Sequence, residues 1–160
     1  MKALYLLTLA LFLVSCSSVS RKQMTEEING YSLPHKPERG EAIVYVLRPS
    51  FLGSLIRFNV YLGDKEDESE MGWNRGSQYI YFFVKPGKHK LYSVAENTAE
   101  YEFEAKEGEA VFVEQETNFG IIMARNQLNH LDKTAGTYYV KKLRKGNIIK
   151  ERKAVGKVEK

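Results

Sequence analysis

Between Ala42 and about Asn126 the apolar positions either alternate with polar ones or run unbroken for five or six residues, the two signatures of β-strands. Strands are expected at Ala42 to Arg48, Leu55 to Leu62, Gln78 to Val84, Lys88 to Ala95, Glu100 to Ala105, Glu109 to Glu116 and Gly120 to Arg125. In Glu100-Tyr-Glu-Phe-Glu-Ala105 the alternation puts Tyr101, Phe103 and Ala105 on one face and three glutamates on the other, so that strand has one wet face. Ile43 to Leu47 and Tyr79 to Val84 are apolar throughout, as expected of central strands covered on both sides. Turn residues punctuate the runs, and Pro86-Gly87 suits a type II turn because glycine takes its positive φ, so Val84 to His89 reads as a hairpin. About seven short strands in about 85 residues make a mainly β domain, an antiparallel sandwich or a barrel. Beyond residue 126 apolar positions recur at three and four, and Asp132 or Thr134 is placed to cap a short helix over about 133 to 144. Thr137 to Val140 are strand formers, which keeps a final strand open as the alternative.

The start of the chain has a different pattern. Lys2 precedes Ala3 to Val14, twelve residues that carry polar atoms only at Tyr5 and Thr8. As a helix this run rises only about 18 Å, short of the roughly 30 Å hydrocarbon core, and matches a secretory signal better than a span. It ends in Leu13-Val-Ser-Cys16, which resembles the lipobox of bacterial lipoproteins. That resemblance implies a diacylglycerated thiol on Cys16, removal of residues 1–15, and a stable anchor made of several acyl chains. Ser17 and Ser18 follow without the aspartate that retains enterobacterial lipoproteins in the inner membrane, so the expected location is the outer membrane, facing the periplasm or the cell surface. Cys16 is the only cysteine, so the domain needs neither a disulfide nor a thiol nucleophile.

Charge refines the layout. The 24 Lys and Arg against 20 Asp and Glu give only +4, too mild to demand nucleic acid. Its distribution is uneven: residues 141–160 hold nine basic and two acidic side chains. The expected organisation is a signal at 1–15, a lipidated tether at 16–40, a sandwich at 41–145 and a basic flexible tail at 146–160. A flexible tether of that length spans roughly 25–30 Å. The tail suits acidic envelope polymers or lipid head groups, each nearby cation adding about 1 kcal/mol at an anionic surface.

Glu41-Ala-Ile-Val-Tyr-Val-Leu-Arg-Pro-Ser50, Arg57-Phe-Asn-Val-Tyr-Leu-Gly63 and Gly76-Ser-Gln-Tyr-Ile-Tyr-Phe-Phe-Val-Lys-Pro-Gly-Lys-His89 together resemble a family of small bacterial lipoproteins classed as a domain of unknown function. The likeness covers about residues 40 to 145 and implies a lipid-anchored sandwich of the prealbumin or immunoglobulin kind. It implies no activity and no site. The acidic stretch Asp64 to Glu70 and the basic tail depart from that family's pattern.

Catalytic motifs are missing from the chain. Pro86-Gly-Lys-His89 lacks the glycine and hydroxyl residue of a phosphate loop, and there is no Gly-x-Ser-x-Gly elbow. His35, His89 and His130 stand apart with no zinc-type spacing, and the acidic stretch lacks the alternating aspartates of a calcium loop. Glu114 and Glu116, or Glu100, Glu102 and Glu104, are the carboxylates a hydrolase would use, although alternating glutamates ordinarily make a solvated face. Neither a cofactor nor a metal is expected. The surplus is aromatic: ten Tyr, eight Phe and one Trp. Most fill the core, but Phe51 and Trp73 fall in turn-rich stretches and are the candidate binding residues for an envelope protein or glycan. The sequence therefore points to a lipid-anchored binding or structural protein of the cell envelope, without nucleic acid, the alternative being an envelope hydrolase acting on glycan or peptide.

Overall fold

A computed structural model describes residues 19–120 and 124–150. The signal, Cys16 and the last ten residues of the tail lie outside them. Two five-stranded sheets pack face to face, so the expected sandwich is present. In chain order the elements are α1 (Arg21–Glu27), β1 (Ala42–Arg48), β2 (Phe58–Leu62), β3 (Glu70–Asn74), β4 (Gln78–Val84), β5 (Gly87–Val94), β6 (Thr98–Ala105), β7 (Ala110–Phe119), β8 (Ala124–Leu131), α2 (Lys133–Lys142), β9 (Arg144–Lys145) and β10 (Asn147–Ile148). The first sheet runs β8-β7-β1-β4-β9 and the second β10-β3-β2-β5-β6.

The pattern of the two apolar runs has its reason here. β1 and β4 pair along their whole length, Ala42 opposite Val84 and Arg48 opposite Gln78. Ala42, Val44 and Val46 face the second sheet, while Ile43, Tyr45 and Leu47 face α2 and the strap of chain at 31–37. On that outer face Tyr45 stacks on Phe112 at 5.5 Å, His35 stacks on Tyr81 at 3.8 Å, and the Tyr45 hydroxyl donates to the His35 carbonyl. Gly136 lets α2 lie against this layer, since a Cβ there would sit 2.2 Å from Cγ of Phe112. Asp132 caps α2 by accepting from the amides of Thr134 and Ala135, and Lys141 and Lys142 complement its last turn. The helix was expected at 133 to 144 and ends two residues sooner.

Several expectations need correcting. The sandwich is not purely antiparallel: β1 pairs with β7 in parallel, as does β4 with β9. Val84 to His89 is no hairpin, because β4 belongs to one sheet and β5 to the other, and the Pro86-Gly87 turn carries the chain across. The strand expected from Leu55 begins at Phe58, and the one expected at Gly120 begins at Ala124. β3 was missed, because Glu70 opens it directly after an acidic loop and glycine interrupts it. The tether is not loose from Val19 onward. Ser20 caps α1, Arg21 grips Asp132 through two hydrogen bonds, and Glu27 pairs with Lys142. No residue of α1 is buried, so it docks through polar contacts that leave no apolar period to read. The tail likewise begins ordered, with Asn147 and Ile148 paired to β3.

Candidate functional site

Strand directions place the loop 49–57, the β3–β4 turn and the β5–β6 turn at one end of the sandwich, called here the upper end. Arg48, the last residue of β1, points inward there with no exposed surface. Its Nε donates to Thr117 Oγ1 at 3.0 Å, and its two terminal nitrogens donate to the carbonyls of Ile56, Asn74, Leu52 and Gly53. The guanidinium also lies 3.9 Å over the ring of Phe58. Among the described residues no carboxylate lies within ion-pair distance of it, and burial lowers its pKa to about 10, so it stays charged at neutral pH. A planar fork of five N–H groups is the side chain suited to collecting carbonyls in this way.

The carbonyls belong to the loop, so Arg48 fixes the loop's path from inside. The Ile56 amide closes a turn on the Gly53 carbonyl, and Ser50 Oγ accepts from the Leu52 amide. Gly76 lets the loop settle on the β3–β4 turn, where any Cβ would lie 2.9 Å from the Ser50 carbonyl. What this scaffold holds outward is apolar: Phe51 is 74% exposed, Leu55 87%, and Leu52 and Ile56 are exposed beside them. Consecutive large apolar side chains held in water by a buried charge are not a by-product of burial. Contiguous exposed apolar patches mark contact surfaces.

Of the residues singled out in the sequence, Phe51 stands in this loop. Trp73 is not in a turn: it lies on β3, on the solvent face of the second sheet, opposite Asn59. It is half-buried, with the guanidiniums of Arg57 and Arg75 at 5.8 and 4.9 Å from its ring. Arg57 ends the apolar loop and so brings positive charge from that loop to the Trp73 ring. Leu52, Leu55, Ile56 and Arg48 were not expected at a site. Leu55 and Ile56 read as the start of a strand, and an arginine closing an apolar strand was the available sign of a buried clamp. Cys16 lies outside the described residues.

The candidate carboxylates fall in two places. Glu114 and Glu116 project from β7 on the face that carries α2, where Asn129 donates to Glu116. Burial, then the neighbouring Glu116, raises the Glu114 pKa. Glu100 and Glu102 face solvent and share Lys90. His89 is engaged with the Lys85 carbonyl at 2.7 Å and packs on Phe103. In the acidic loop, Asp64 accepts from the Glu66 amide and Glu70 from the Asn59 amide group. Among the described residues no group of His, Cys, Asp and Glu is placed to hold a metal ion.

No family model matches the chain. An uncharacterized protein of Haemophilus influenzae is 27% identical over 135 residues, which is 84% of this chain and 77% of that protein. That likeness brings no chemistry. The loop 49–57 is an exposed apolar knob tied down from within by the Arg48 guanidinium.

Proposed function

We propose that this is a lipid-anchored cell-envelope protein of binding type, held by Cys16, that offers the loop 49–57 to an envelope protein partner. The observation that carries this is the clamp: a buried arginine spends its hydrogen bonds on keeping Phe51, Leu52, Leu55 and Ile56 in water. The geometry bears on the kind of partner. Arg21 is tied to Asp132, which follows the lower end of β8, so the chain leads to Cys16 from the half opposite the loop. From Val19 to position 16 is three residues, a reach of about 10–11 Å. The loop stands some six strand residues higher, about 20 Å or more. An anchored molecule would turn its loop away from the bilayer that holds it. With Arg57 and Arg75 beside the patch, the fitting surface is an apolar pocket rimmed by carboxylates on another protein.

A photo-crosslinking residue at position 55, and separately at 66 in the acidic loop, tests this in cells. The expected result is one defined partner at 55 and not at 66. The purified partner should then bind the wild-type chain at least about tenfold more tightly than Leu55→Asp, whose thermal midpoint stays unchanged. Equal capture at both positions, or full affinity in Leu55→Asp, removes the loop from the proposal. The anchor has its own readout. Cys16→Ser should leave the membrane fraction and lose palmitate labelling, and if it fractionates as before the lipoprotein assignment fails.

A further inference from the structure

An open cleft of about 840 Å3 lies in the lower half, away from the apolar loop. It exists because β8 stops early: Leu131 opposite Phe112 is the last pair, and the chain then turns into α2. The edge of β7 at Ala110 and Val111 is left with no strand on that side. Tyr101 and Phe103 of β6, the outer strand of the second sheet, form the facing wall, and the strap with Leu33 covers the top.

The lining divides in two. Its buried lining residues are Ile43, Val111, Phe112 and Thr137, with Leu33, Phe103 and Leu131 half-buried, all aliphatic or aromatic but Thr137. At the mouth stand exposed Lys36 on the strap and Lys133 at the start of α2, with His130 beside them, its Nδ1 3.3 Å from the Tyr101 hydroxyl. Glu104 and Glu109 occupy the opposite lip, where Glu109 already accepts from the Lys106 amide at 2.9 Å. The volume falls within the roughly 300–1,000 Å3 of small-molecule sites, and an apolar interior with a few polar groups at the mouth is their usual build.

We propose that this cleft takes a single-chain lipid, its apolar chain along the Phe103 and Phe112 walls and its anionic head between Lys36 and Lys133. A free fatty acid and a lysophospholipid share that chemistry. The second also carries an ammonium group, which would meet the Glu104 lip. This inference stands apart from both the loop and the lipid on Cys16, and it fails or holds without them.

The test uses the full chain carrying Cys16→Ser, so that no covalent acyl group competes, with dansyl-undecanoic acid as the fluorescent probe. One saturable site is expected, displaced by palmitate or by lysophosphatidylethanolamine, and the better competitor identifies the source of the lipid. Lys36→Glu combined with Lys133→Glu, both on the surface, should weaken the probe by about tenfold. Ala110→Trp, which fills the floor, should abolish saturation. Leu55→Asp should change nothing. Absence of a saturable site overturns the proposal, as does undiminished binding in the double charge reversal. Loss of binding in Leu55→Asp would show that the exposed loop had adsorbed the probe, and overturns it equally.

Discussion

The two ends of the sandwich are built in opposite senses. In the lower part Ala42, Val44, Val84, Leu91 and Ala105 form an apolar inter-sheet core, while Asp64 to Glu68 face water. At the upper end the inside is polar, with Arg48, Asn74, Gln115, Thr117 and Asn126 buried, and the outside carries Phe51, Leu52, Leu55 and Ile56. Exposed leucines taken singly mean little, but buried polar groups beneath an exposed apolar loop are informative. The upper end is arranged around its loop and the lower end around its core.

Substitutions at each end sharpen that contrast. Arg48→Met should be the most damaging, about 3–5 kcal/mol by denaturant midpoint, because it takes the arginine donors from the carbonyls of Leu52 and Ile56 and one of two donors from that of Gly53. Arg48→Lys should not rescue it, since an ammonium cannot reproduce the fork. At the lower end Leu91→Ala should cost about 2–5 kcal/mol in the same assay by leaving a cavity between the sheets. Gln115→Leu combined with Ser93→Ala reverses the sign. Gln115 donates to the buried Ser93 Oγ at 2.7 Å, and among the described residues its Oε1 has no partner, so replacing both members should raise the midpoint by up to about 1 kcal/mol, whereas Gln115→Leu alone strands the Ser93 hydroxyl. A loss above about 2 kcal/mol there would break the view that the upper interior is polar for the sake of the Arg48 clamp.

The smallest effect depends on pH. Burial and Glu116 raise the Glu114 pKa, so the folded chain holds that proton more tightly than the unfolded one. Its contribution is therefore complete below the unfolded value of about 4.3 and is lost as pH rises through the raised folded value. Glu114→Gln should stabilise by less than about 1 kcal/mol at pH 7, and the gain should vanish near pH 4 when melts are repeated there.

Much of this was legible in the residues. Alternation gave the faces of β6, unbroken apolar runs marked β1 and β4 as doubly covered, and Asp132 with its following period located α2. Strand partnership was not, because Val84 and Gly87 look the same whether the chain folds back within a sheet or crosses to the other. α1 escaped notice since its partners, Asp132 and Lys142, are more than 100 residues away and polar. At the candidate site Phe51 was visible by composition, whereas Leu55 and Ile56 were hidden by their resemblance to a strand. The role of Arg48 depends on carbonyls four to eight residues ahead, which no side-chain pattern records.

The parallel ladder between β1 and β7 bears on how the molecule comes into being. β1 is the innermost strand of its sheet, yet one of its neighbours arrives about 65 residues later in the chain. Contacts of such separation close slowly, because the entropy of a large loop is lost before any pairing repays it. Until Ala110 to Glu114 have emerged, Ile43 to Leu47 have one open edge and a bare apolar face. Under the export proposed above, that delay would keep the chain pliable during passage. Wherever the chain folds, it defines an interval, before β7 zips up, in which a holding chaperone would find its substrate.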